Sequence, residues 1–165
     1  MPGKKASSVL NKIAPDNQQE RLITIGWIIG FTDGEGCFTV SLIKNPTTRT
    51  GHQIFPEFVV TQGEKSISVL KKMQKFFNCG KIFVNRRHDN HKENLHRYCV
   101  RSIKDLNEKI IPFFIENELR TDKKRDFKNF AIILNMMKKK KHLSKKGCNT
   151  IKQIIGKMNR SKGKK

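Results

Sequence analysis

The sequence predicts an α+β domain in which helices back one face of an antiparallel four-stranded sheet. Apolar residues recur at helical spacing in some segments and alternate with period two in others, in the order α-β-β-α-β-β-α-α-α. The strands come in adjacent pairs joined by polar segments, KNPTTRTG at 44–51 and HDNHKEN at 88–94. A length of 165 residues suits one compact domain and not comfortably two. Helices layered on one sheet face are the natural way to bury such a set.

Taken in order, residues 1–15 read as a disordered basic arm. Asp16 followed by Gln19 resembles a capping box with Asp in place of Ser or Thr. Leu22, Ile25, Ile28 and Ile29 then set a helix over 17–32, which stops in the glycine-rich DGEG. Residues 37–43 form a strand with Phe38, Val40 and Leu42 on one face and Cys37, Thr39 and Ser41 on the other. A second strand covers 53–62, where Pro56 argues for an edge or a bulge. Ile67, Leu70, Met73 and Phe77 stripe a helix over 64–77 that Cys79-Gly80 ends. Strands at 80–87 and 95–101 follow, then helices at 103–116, 123–140 and 148–158. The domain is expected over 16–158, with a disordered basic tail over 159–165.

Charge is the strongest global signal. Lys and Arg total 35 against 14 acids, a formal net charge of +21. Self-repulsion on that scale opposes compaction and points to a polyanionic partner. Nucleic acid comes first and an anionic membrane surface second. Lys-rich termini account for part of the charge, but Arg86, Arg87, Arg97 and Arg101 lie mid-chain. Cys37, Cys79, Cys99 and Cys148 are too scattered for zinc-ligand spacing and read as reduced thiols of an intracellular protein. No apolar stretch is long enough to span a membrane. The acid-free first fourteen residues weakly resemble an organelle transit segment, but a basic arm is the better reading. The compartment stays open between an organelle and a prokaryotic cytoplasm.

The stretch WIIGFTDGEGCF, 27–38, poses the functional question. Gly26 and Gly30 share a helix face, and each costs about 1 kcal/mol relative to Ala. That cost suggests close approach of another backbone. Asp33 and Glu35 stand where the helix dipole is negative and carboxylates are disfavoured. A lone DGEG would read as a helix stop with solvated acids. In a chain of +21, acids placed there are expected to meet something positive. A divalent metal fits, because Mg²⁺ takes one or two carboxylates plus water and phosphate oxygens. A basic protein with such an acid suggests phosphodiester hydrolysis. The residues alone do not rank Asp33 against Glu35.

The stretch Ile28-Ile29-Gly30-Phe31-Thr32-Asp33-Gly34-Glu35-Gly36 resembles the LAGLIDADG motif of homing endonucleases, in its form ending DGEG. Phe58-Val59-Val60-Thr61-Gln62 is similar to the end of that family's second strand. Leu119-Arg120-Thr121 with Lys123-Lys124-Arg125-Asp126-Phe127 resembles its L-x-T…K-x-x-D-F signature, and Cys148 to Asn159 its terminal helix. The resemblance covers about residues 18–160 and implies an α-β-β-α-β-β-α core with a DNA-binding sheet.

It further implies a metal-dependent double-strand DNA endonuclease of the intron-homing kind, with Mg²⁺ or Mn²⁺ as cofactor. Glu35 would ligate metal and Gly34 would offer its carbonyl. Asp33 would tie helix ends together. Gln62 would order water, and Lys123, with Lys124 as rival, would sit near the scissile phosphate. Gly26, Ile29, Gly30 and Asp33 would lie at a two-fold seam. One motif per chain implies a homodimer on a near-palindromic site with staggered cuts. An RNA-binding maturase acting on its intron is the alternative.

The sheet would supply recognition, since a β-ribbon fits the major groove. The expected contacts are Thr39, Ser41, Lys44, Gln53, Phe55, Glu57, Lys81, Phe83, Asn85, Arg87, Arg97 and Cys99. Arg49 and His52 in the first hairpin turn, and Lys139 and Lys140 within the run Lys138 to Lys141, would meet phosphates.

Overall fold

The computed structural model describes residues 15–86 and 93–158. The expected arm (Pro15 excepted), the tail at 159–165 and Arg87 lie outside the described residues.

Helix α1 runs over Pro15–Glu35, longer at both ends than 17–32. Proline suits the first turn, where a helix leaves N–H groups unbonded anyway. Asp16 therefore lies inside the helix and not at its cap. At the other end Asp33, Gly34 and Glu35 stay helical, and β1 (Gly36–Lys44) follows with no intervening residue. That abrupt change needs Gly36, because a Cβ there would come within 2.6 Å of Thr32 Cγ2 and 2.8 Å of Thr32 O.

β2 (His52–Gly63) pairs antiparallel with β1 in an unbroken register from Gly36↔Val60 to Lys44↔His52. Pro56 thus sits in no bulge. It lies beyond the end of β4, whose Val100 pairs with Phe58, so β2 has a partner on one side only at Pro56. This is the edge-like setting that proline tolerates. After a 3-10 turn at Glu64–Ser66 comes α2 (Ile67–Phe77), which Asn78 ends in the left-handed region. β3 (Lys81–Asn85) and β4 (Leu95–Val100) complete the sheet in the order β1-β2-β4-β3.

Helix α3 spans 103–116, capped by Ser102 Oγ accepting from Asp105 N at 3.2 Å. It widens to a π-helix at Leu106–Ile110, just before Pro112, which brings a ring and no N–H. α4 covers Lys123–Lys138 and ends two residues early, because Lys140 turns left-handed at φ 57°. α5 covers Lys145–Ile155 and starts three residues early, because Ser144 Oγ caps it by accepting from Gly147 N at 3.0 Å.

The even-numbered strand residues Phe38, Val40, Ile54, Phe58, Val60, Tyr98 and Val100 enter the core. All five helices contribute to that core, α1 through Ile28, α2 through Leu70 and Met73, α3 through Ile110 and Phe114, α4 through Phe130 and α5 through Ile151. Phe38 sits at its centre, with ring centroids 5.0 Å from Phe58, 5.4 Å from Phe114, 5.2 Å from Phe127 and 5.4 Å from Phe130. Such pairs add about 0.5–1.5 kcal/mol each beyond the area they bury. The opposite sheet face stays open, with Ser41, Gln53, Lys81, Phe83 and Asn85 exposed. Among the described residues no helix is long and apolar enough to cross a membrane.

Candidate active site and sheet interface

The end of α1 meets the start of α4 through Asp33. Its Oδ2 accepts from Arg120 N at 2.7 Å, and its Oδ1 accepts from Thr121 N at 3.2 Å and Thr121 Oγ1 at 2.7 Å. Thr121 Oγ1 in turn accepts from Lys123 N at 3.3 Å, so one hydroxyl links the carboxylate to the first residue of α4. Burial pushes the Asp33 carboxyl up, but these hydrogen bonds and the nearby Lys123 charge outweigh it and hold the group below its ordinary 3.8. Leu119, 2% exposed, anchors the loop in the core. The L-x-T signature thus has a physical reading: Leu119 fixes the loop and Thr121 carries the link. Both Asp33 oxygens are engaged within the chain, which sets this residue apart from the open stripe of α1.

Lys123 reaches back across the same junction. Its Nζ donates to Thr32 O at 3.0 Å. Burial lowers its ammonium below the ordinary 10.5, against the pull of Cys37, Asp33, Glu35 and Asp126. A cation at a helix N-terminus is disfavoured, and these acids offset that cost. Lys124 turns elsewhere, donating to Glu118 Oε2 at 2.7 Å. The geometry therefore separates the two lysines that the sequence left as rivals. Glu35 is exposed at the tip of α1. Gln62, half-buried near the end of β2, lies two residues past Val60, the partner of Gly36, and so at the rim where α1 enters the sheet.

Along α1, Gly26, Gly30 and Gly34 form an exposed stripe at four-residue spacing. Among the described residues nothing lies within 4 Å of a Cβ built on any of the three. Their lack of side chains serves no contact among the described residues. Leu22 and Ile23 beside the stripe are 62% and 65% exposed. Ile29 is half-buried and packs partly against the core.

The open sheet face carries most of the expected nucleic-acid contacts. Register places Thr39 opposite Glu57, Ser41 opposite Phe55 and Phe83 opposite Arg97. Three expectations need correction. Lys44 is in step with Phe38, Val40 and Leu42, so strand parity gives it to the helix side. Glu57 is buried, because its Oε1 accepts from Arg97 Nη2 at 3.1 Å and its Oε2 from Arg101 Nε. Cys99 is buried too, since it sits on β4 between the longer Arg97 and Arg101, and burial raises its thiol. No disulfide joins any of the four cysteines. Arg49, in the β1–β2 turn, and Lys139 and Lys140, at the end of α4, are exposed, while His52 is half-buried with Nδ1 3.2 Å from Thr50 O.

Residues 28–134 match the family model described as LAGLIDADG endonuclease. The chain belongs to the LAGLIDADG endonuclease family. Among solved structures, the homing endonuclease I-TnaI is 39% identical with a TM-score of 0.74, over 83% of this chain and 88% of that one. I-SmaMI bound to uncleaveable DNA is 28% identical with a TM-score of 0.76, over 82% of this chain and 45% of that one. I-SmaMI has also been solved with cleaved DNA, and with its uncleaved target in the presence of calcium ions. The "Probable intron-encoded endonuclease 2" of Neurospora crassa is 32% identical over 78% of this chain. The chain spans only 26%, 25% and 32% of the length of the first three curated relatives it matches.

Within this LAGLIDADG domain, Gly34, Glu35, Asp33 and Lys123 come together, with Gln62 at the same rim. Sequence reasoning missed three residues. Thr121 was inside a quoted motif without a role. Arg101 was counted only as charge. His96, opposite Gln62 in the sheet, is buried with neither ring nitrogen bonded among the described residues. Strand register could have flagged His96, whereas Arg101 follows β4 and shows its role only through its contacts with Glu57, Phe55 and Phe83.

Proposed function

We propose that the chain is a site-specific double-strand DNA endonuclease, dependent on a divalent metal and working as a pair of identical copies. One observation carries the reading: an exposed carboxylate, Glu35, stands beside the half-buried Lys123 at the rim of an open basic sheet face. A hydrolytic acid-and-cation site and a groove-sized reading surface then share one edge.

The residues fit a hard divalent cation. Among the described residues no three of His, Cys, Asp and Glu gather to form a cage. Glu35 supplies one carboxylate and Gly34 one backbone carbonyl, the sparse oxygen set that Mg²⁺ accepts alongside water and phosphate. Mn²⁺ would occupy the same donors. Bound there, the metal would supply Lewis acidity and an activated water. Lys123, fixed by Thr32 O, would stabilise charge developing on the scissile phosphate. Gln62 would order water at the strand end. Asp33 would hold α1 against α4 and ligate nothing.

The glycine stripe of α1 suits a second copy, because isologous packing there would bring two Glu35 residues near one axis. Two active sites imply a near-palindromic duplex, and the family resemblance implies staggered ends. The intron-encoded relatives named as endonucleases support this reading over an RNA-binding maturase.

The test is cleavage of a randomised near-palindromic duplex library with Mg²⁺, wild type against Glu35→Gln. Selection of one site by the wild type, with Glu35→Gln binding but not cutting, is the expected result. If neither protein cuts with Mg²⁺ or Mn²⁺ and both bind structured intron RNA, the endonuclease reading fails.

A further inference from the structure

The open sheet face holds a cluster that the active site does not use. The Arg101 guanidinium lies 4.9 Å from the Phe83 ring centroid and 5.7 Å from that of Phe55. Its Nε donates to Glu57 Oε2, while Arg97 Nη2 donates to Glu57 Oε1 at 3.1 Å. Glu57 is only 7% exposed, whereas the Arg101 side chain is 41% exposed and Phe83 is 40% exposed. Arg101 is thus held to Glu57 through Nε, while much of its side chain stays exposed.

We infer that Arg101 is a preorganised guanine reader, its end-on fork aimed at O6 and N7 in the major groove, with Glu57, Phe55 and Phe83 as positioning residues. This rests on the site-specific DNA-binding reading above and adds a residue and a base to it. A free arginine side chain must be immobilised on binding, which subtracts from affinity. Here two rings and a carboxylate fix the guanidinium before DNA arrives. Engaging Nε inward leaves the two terminal nitrogens, the pair that meets guanine bidentately. Glu57 therefore acts on the inside of the interface. Exposed as a base contact, it would meet phosphates of its own charge; buried under two arginines, it orients them.

The experiment is selection of bound duplexes from a randomised library with full-length protein and Ca²⁺ in place of Mg²⁺, at two salt concentrations. Wild type runs beside Arg101→Lys, Phe83→Leu and Glu57→Gln, each checked by thermal melting. The wild type is expected to fix a guanine at one position of each half-site. Arg101→Lys should weaken that preference about tenfold or more and leave the remaining positions intact, because a lysine cannot form the fork. Phe83→Leu and Glu57→Gln should loosen the same position and no other. Should Glu57→Gln melt early, Arg101→Lys and Phe83→Leu still decide the matter.

An even loss of affinity across all sequences with a shallower salt slope would make Arg101 a phosphate contact and overturn the inference. So would an unaltered profile, which would mark the cluster as a purely structural knot. Both outcomes leave site-specific binding standing. A wild type that selects no sequence overturns that reading and this inference together.

Discussion

Two acids two residues apart have opposite fates because one is sequestered and the other is not. Asp33 accepts three hydrogen bonds from Arg120 and Thr121, whereas Glu35 projects from the tip of the helix. Asp33→Asn should therefore lower stability by about 1–2 kcal/mol, read by denaturant melts. The folded carboxyl lies below its ordinary 3.8, so its contribution is complete above that value and is lost as pH falls through the lower folded one. The wild type should lose more stability than Asp33→Asn over that acid window.

The two lysines part in the same way. Lys123→Met should slow single-turnover cutting about a hundredfold or more, while Lys124→Met should stay near wild type. Burial lowers the Lys123 ammonium, so the cutting rate should begin to fall below the ordinary lysine value of 10.5. Its stability linkage has the opposite sign. Between the lowered folded value and 10.5 the unfolded chain holds more protons, so this lysine's contribution to stability rises with pH while activity falls. Rate and melting temperature recorded on one pH series would separate loss of charge from unfolding.

At the scale of elements, α1 and the start of β1 carry two kinds of glycine. Gly36 is required within the chain, where Thr32 fills the space that a Cβ would need. Gly30 is not required by any described residue, since none lies within 4 Å of a Cβ built there. Gly30→Ala should raise the melting temperature of the isolated chain, because Ala gains up to about 1 kcal/mol in a helix interior. The same change should weaken self-association, read by sedimentation equilibrium, if two α1 helices meet along the stripe. A rise in both quantities would remove α1 from the seam. At the end of α4, the left-handed Lys140 halts the helix and sets a cluster of exposed lysines.

For the whole molecule the decisive quantity is charge. A net +21 on the full chain, only part of it in the Lys-rich termini, points outward, to a polyanion. Binding should weaken steeply with salt, by about 0.9 in log–log slope for each phosphate met. Lys139→Gln together with Lys140→Asn, the asparagine chosen to tolerate the left-handed backbone, should flatten that slope by about 2 and leave sequence preference unchanged. A filter-binding series across salt concentrations reads both.

The sequence by itself determined what repeats along the chain or is written in a short motif. Alternation at Phe38, Val40 and Leu42 and the stripe Leu70, Met73, Phe77 fixed the strands, the helices and the covered sheet face, because side-chain periodicity is a local property of the backbone. The glycine-and-acid stretch, which carries residues proposed for the site, was legible for the same reason. Element ends moved by up to three residues where a single side chain decided them, as Ser144 does in capping α5. Only the tertiary structure turned Lys123 to Thr32 and Lys124 to Glu118, tied Asp33 to Thr121 across 88 positions, buried Glu57 and Cys99, and raised Arg101 from bulk charge to a clamped side chain. Those outcomes depend on distances between residues far apart in sequence. Such distances arise only when sheet register and helix packing are set together, and no local pattern encodes them.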